Sequence, residues 1–149
     1  MRFDPYQAAP GWYQDVLAWS RDLRHSTLSP EIRHLVEIRV SQINDCAFCL
    51  TYHTDLALAG GVAQAKLDAL AGWRNSSGFS DAERAALGLA EAMTRIGDGN
   101  RVDELTWQAA RDYFEDGALA ALLHVIALIN VWNRINVAVE FPEHHPLPT

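Results

Sequence analysis

The chain has 149 residues, 49% of them hydrophobic and 21% charged, which is globular composition, far from that of a disordered chain; the length suits a single domain. A net charge of −7 with no run of Lys or Arg speaks against a nucleic-acid partner. No apolar run follows Arg2, so a secretory signal is not expected, and the reading is a cytoplasmic protein that does not enter a membrane.

In chain order, Pro10 opens a first helix to about Arg24, striped by Trp12, Val16, Leu17 and Leu23. Ser29 as N-cap and Pro30 at the first helical position start a second, which should end near Asn44. A third begins at Asp45 or Cys46 and stops at Gly60 and Gly61, and a short fourth covers Val62 to about Trp73. Ser80 and Glu83 have the spacing of a capping box and open a fifth helix that Gly97 ends. Asp103 should cap a sixth through Phe114, and Asp116 a long seventh that must finish before Pro142. The seventh contains the most apolar stretch, Ala118 to Trp132, which His124 and Asn130 interrupt, so it reads as a core helix. With no alternating segments and no fixed repeat, the expected fold is all-α, a single-domain bundle of about six or seven helices.

Both cysteines lie in "NDCAFCLTYH", Asn44 to His53. A structural zinc site commonly draws two ligands from each of two separated pairs, and this chain has one pair. Cys49 and His53 could still share an ion with His34 or His124. A permanent staple closing only Ala47 and Phe48 would restrict the unfolded chain little. Two cysteines buried as small hydrophobes are a further alternative. The last is a dithiol that cycles. Cys46 falls in the opening turn of a helix, where unpaired N–H groups and the helix dipole favour a thiolate. Cys49 and His53 share a face one turn apart, so the imidazole could take the thiol proton directly or through a water. Cys46 would then be placed to resolve an oxidised Cys49 by closing a disulfide.

The segment "HLVEIRVSQINDCAFCLTYHTDLALAGG", with its run "RVSQIN" ahead of Cys-x-x-Cys-x-x-x-His, resembles the alkylhydroperoxidase D-like branch of the carboxymuconolactone decarboxylase superfamily. The likeness extends to "GWRNSSGFSDAERAALGLAEAMT" and "LINVWNRINVA". The resemblance implies an all-helical subunit that forms homo-oligomers, often trimers or hexamers; no cofactor or metal is expected. It implies a dithiol that reduces a small hydroperoxide or passes electrons onward, recharged by a lipoyl or thioredoxin-like donor. Carried over by position, Cys49 attacks the peroxide, Cys46 resolves and His53 relays the proton.

Two departures bear on the site. The relay glutamate of the family stands twelve residues before the first cysteine, where this chain has His34, while Glu37 lies one turn further along the same helix. Either could serve; alternatively His34 is a surface or hydrogen-bonded core residue and Glu37 a solvated partner of Arg33. Asp45 stands where glycine is more usual, and as N-cap it would accept from the Phe48 amide and oppose a thiolate at Cys46, favouring Cys49 as nucleophile. Trp132 reads as core or interface, Asn130 and Asn133 as backbone-bonding groups, His124 as a packed histidine, and His25, His144 and His145 as loop or tail residues. The competing functions are the decarboxylase chemistry of the wider superfamily, which does not rely on a Cys-x-x-Cys pair, and a non-catalytic oligomer whose dithiol senses redox state.

Overall fold

The computed structural model describes residues 1–99 and 101–145. Among them are eight α-helices and no strand: α1 Pro5–Ala8, α2 Pro10–Arg24, α3 Pro30–Ile43, α4 Ala47–Ala59, α5 Gln64–Ala69, α6 Asp81–Thr94, α7 Glu104–Tyr113 and α8 Asp116–Ala138, with 3₁₀ turns at Leu70–Asn75 and Ile96–Asp98. The seven expected helices are present, the fourth finishing as the first 3₁₀ turn. The eighth is α1, whose four residues are too short for a periodic signal. Asp4 holds it by accepting from the Tyr6 and Gln7 amides at 3.0 and 3.1 Å.

The capping box of α6 forms as read: Glu83 N–H donates to Ser80 Oγ, and Ser80 N–H donates back to Glu83 Oε2. Asp103 likewise caps α7. Three expected caps differ. Ser29 occupies the N-cap of α3 but its hydroxyl makes no capping bond, leaving Pro30 as the start signal. The N-cap of α8 is Glu115, with Asp116 its first helical residue, where a negative charge still suits the dipole. Asp45 does not cap α4; Cys46 does, its sulfur accepting from the Cys49 amide at 3.4 Å.

The reason lies in the turn between α3 and α4. Asp45 has a φ of 55°, in the left-handed region that reverses the chain between two helices packed on each other. Asp45 is exposed, and Cys46, the next residue, takes the extended cap geometry, with a φ of −93° and a ψ of 93°.

α3 packs against α4, α6 and α8. Its buried Ile32, Leu35, Val36, Ile38 and Val40 reach both neighbouring hydrophobic clusters. Leu122, Ile126 and Ile129 of α8 are fully buried, each contributing about 1.5–3 kcal/mol of burial free energy. By length and composition α8 could cross a bilayer; in this fold it packs along α3, with α2, α4 and α6 beside it. Glu91 of α6 is a buried polar junction. It accepts from Arg39 Nε at 2.8 Å and Trp73 Nε1 at 3.0 Å, and pairs with Arg74.

Candidate functional site

The dithiol segment is held by polar groups beneath it. Asn44 Nδ2 donates to Asn130 Oδ1 and Asn133 Oδ1 at 2.9 and 3.0 Å, and Asn133 Nδ2 donates to Ser41 Oγ at 3.0 Å. Asn130 also donates to Thr94 Oγ1 and the Ile126 carbonyl. These bonds tie the α3–α4 turn to α8, so Asn130 and Asn133 act on the position of the cysteines rather than inside a cavity.

Cys46 and Cys49 form a disulfide, with Cα atoms 5.3 Å apart. Both residues are only 2% exposed. They open toward different spaces: Cys49 lines a cavity of about 140 Å³ between α2, α3, α4 and α8, whereas Cys46 lines a shallower depression with Asp45, Val137, Glu140 and Phe141. The Cys49 cavity is walled mostly by apolar and aromatic side chains, including Tyr13, Leu17, Phe48, Ile129 and Trp132. Trp132, read from sequence as core or interface, is half-buried and turned to this cavity, its ring centroid 5.9 Å from that of Tyr13.

His53 and Glu37 line the same cavity as Cys49. Glu37 Oε2 lies 3.1 Å from His53 Nδ1 and 3.5 Å from His34 Nδ1. Two imidazoles thus compete for one carboxylate oxygen. All three atoms are buried and none makes a well-aligned hydrogen bond, so the contacts act through charge more than through direction. Burial alone would push the Glu37 carboxyl up; the His53 charge, the two imidazole contacts and Arg33 outweigh it and hold the group below the usual carboxylate range. Glu37 is therefore a buried anion beside His53; the i to i+4 pair with Arg33 is present too, the guanidinium 3.9 Å away, but it is largely buried rather than solvated. His34 is buried under α4, reaching Glu37 but not lining the cavity.

Asn136 and Tyr6 were not singled out by sequence. Asn136 Nδ2 donates to Cys49 Sγ at 3.4 Å, and Tyr6 donates its hydroxyl proton to Asn136 Oδ1. Burial, with Tyr13 and Asp4 nearby, keeps the Tyr6 hydroxyl protonated well above the ordinary tyrosine range, which fixes it as a donor. The amide is consequently oriented with its N–H toward sulfur. Asn136 falls within "LINVWNRINVA", but Tyr6 belongs to α1, more than a hundred positions away, and no spacing rule connects them.

Because Cys46, not Asp45, caps α4, the expected acceptance of the Phe48 amide by the Asp45 carboxylate is not made; Asp45 still lines the depression that Cys46 faces. Both sulfurs meet an N–H donor, and what separates them is the space each faces. His124 is exposed, its ring against Trp19 and its Nδ1 2.7 Å from the Ala120 carbonyl, so it is not a core histidine, and it does not line the Cys49 cavity. Among the described residues no three His, Cys, Asp or Glu side chains are grouped as metal ligands. A cysteine pair at disulfide distance fits a redox role.

The profile of the carboxymuconolactone decarboxylase family matches residues 10–92. The uncharacterized protein YdfG of Bacillus subtilis is 33% identical over 138 residues, 93% of each chain. The uncharacterized protein YnjA of Escherichia coli is 36% identical over 120 residues, 80% of this chain and 64% of that one. A crystal structure from Agrobacterium tumefaciens, of a protein of unknown function described as a candidate antioxidant defence protein AhpD, superposes with a TM-score of 0.89 at 30% identity over 99% of both chains. Helical architecture, cysteine pair and sequence likeness agree: the chain belongs to the carboxymuconolactone decarboxylase family, in its alkylhydroperoxidase D-like branch.

Proposed function

We propose that the protein is a thiol-dependent peroxidase in which Cys49 attacks, Cys46 resolves and the His53–Glu37 pair moves the proton. The observation that carries this reading is that Cys49, alone of the two cysteines, faces the apolar cavity between α2, α3, α4 and α8 together with His53 and Glu37.

In the reduced protein, His53 takes the Cys49 proton and the Asn136 N–H steadies the resulting thiolate. The sulfur attacks the distal oxygen of a hydroperoxide, an S–O bond forms, the O–O bond breaks, and the alkoxide leaves as an alcohol after protonation by the imidazolium. Cys49 is then a sulfenic acid. Cys46 attacks it as a thiolate, the S–O bond breaks, the departing hydroxide takes up the proton Cys46 released and leaves as water, and the disulfide closes. A dithiol donor of the lipoyl or thioredoxin type reduces that disulfide by exchange, becoming oxidised itself. Glu37 balances the imidazolium charge throughout, which is the use of a carboxylate kept ionised under burial.

We propose that the subunit assembles with copies of itself, as its family resemblance implies, which would give the 77% exposed Trp12 and 84% exposed Leu105 a surface to pack on. Light scattering showing only monomer at micromolar concentration would reject assembly.

Peroxide consumption with a dithiol donor tests the chemistry. Cys49→Ser should abolish turnover, while Cys46→Ser should complete one oxidation and stop at a sulfenic acid that a dimedone probe captures on Cys49. Turnover unaffected by Cys49→Ser, or sulfenic acid trapped on Cys46 in Cys49→Ser at the wild-type rate, overturns the assignment.

A further inference from the structure

The cavity beside Cys49 has about 140 Å³ of room, close to the roughly 150 Å³ of an engineered apolar cavity that admits benzene. Two cations line it: Arg24, in the last turn of α2, and Arg33 of α3. Arg33 is unusual. Its side chain is 12% exposed, and its one charge contact is the 3.9 Å approach to Glu37 Oε2, an oxygen already facing two imidazoles. Among the described residues its guanidinium makes no hydrogen bond.

A guanidinium has five N–H donors in a planar fork, and Arg33, which lines the cavity, spends none of them on a protein hydrogen bond among the described residues. The partner that fits such a fork best is a carboxylate, bound through two parallel hydrogen bonds. The remaining wall is apolar and would hold a ring or short chain by its surface.

We infer that the cavity selects a compact hydrophobic carboxylic acid, its carboxylate on Arg33 with Arg24 beside it and its apolar body between α2 and α8. The reacting end toward Cys49 rests on the peroxidase reading above, so the substrate class is the hydroperoxide of a single-ring or short-chain organic acid. The anion site itself does not depend on that reading.

Calorimetric titration of the whole protein with 3-phenylpropionate and with its uncharged amide tests the site without turnover. The carboxylate should bind at least about 10-fold tighter than the amide, the low end of what a hydrogen bond to a charged group contributes. Arg33→Met should abolish that preference, Arg33→Lys should restore part of it, and Arg24→Met should weaken it. Bound carboxylate should also slow iodoacetamide modification of Cys49 in the reduced protein, which locates the ligand. A melting temperature within a few degrees of wild type confirms that each variant folds. Equal affinity for acid and amide, no binding of either, or a preference that survives Arg33→Met overturns the inference. Preferential acid binding without consumption of any hydroperoxide overturns the peroxidase reading and leaves the anion site standing; hydroperoxide turnover with no preference for the acid does the reverse.

Discussion

Asn136→Ala is the sharpest perturbation of the dithiol, because it removes a donor aimed at sulfur while leaving His53, Glu37 and Cys46 untouched. A hydrogen bond to a charged group contributes about 1.5–3 kcal/mol; at about 1.4 kcal/mol per pH unit, its loss should raise the pH midpoint of Cys49 ionisation by roughly 1–2 units. Below both midpoints the thiolate fraction falls about 10- to 100-fold. The more basic thiolate is intrinsically more nucleophilic, with a Brønsted slope of about 0.4–0.5, which returns about 3- to 10-fold. The net loss of alkylation rate at low pH is therefore only about 3- to 10-fold, and above both midpoints the variant should react faster than wild type. The two pH–rate curves cross. Reduced protein treated with iodoacetamide across pH 5 to 11, with Cys46 and Cys49 resolved by mass spectrometry, reads this directly. Tyr6→Phe frees the amide to rotate and should give a smaller shift of the same sign, with no further effect in an Asn136→Ala background. Superimposed wild-type and Asn136→Ala curves, or a uniform loss at every pH, would refute the reasoning.

His53→Gln should cut peroxide reactivity about 10²- to 10⁴-fold at neutral pH and by less at high pH, where the thiol ionises unaided; Glu37→Gln should reproduce part of that loss and His34→Gln little, as read by stopped-flow oxidation. Glu91→Gln should destabilise the fold by about 3 kcal/mol at neutral pH, since it leaves Arg39 and Arg74 without their buried anion. Although burial opposes ionisation, bonds from Trp73, Arg74 and Arg39 keep the Glu91 carboxyl lower in the folded state than its ordinary 4.5. Its contribution is thus complete above about pH 4.5 and fades as pH falls through the folded value, so denaturation curves of wild type and Glu91→Gln should converge in acid; a difference that stays constant to pH 2 counts against the charge argument. Asp45→Gly, at a φ of 55°, should raise stability by about 0.5–1 kcal/mol if relief of left-handed strain exceeds the added freedom of the unfolded chain; a lower urea midpoint would mean that the aspartate side chain holds the turn.

Most of the helical architecture was legible because its signals are local. Pro10, Pro30, the Ser80–Glu83 box and Asp103 act within one turn of themselves, and the Cys46–Cys49–His53 ladder needs only the helical repeat to be read. Caps failed where two elements meet: Asp45 has the chemistry of an N-cap, but the reversal that packs α4 on α3 demands a left-handed residue there, and the cap passed to a sulfur. His34 stands where the resemblance puts the relay glutamate, and helical spacing alone adds Glu37 one turn further along α3; the packing of α4 over α3 brings the Glu37 carboxylate to His53 and sets His34 behind it. Tyr6, Asn136 and Arg33 acquire their meaning only in the folded chain. A hydrogen bond spanning 130 positions from α1 to α8, a donor turned onto a sulfur and an apolar cavity closed by α2 are products of long-range packing, and no periodicity or spacing along the chain encodes them.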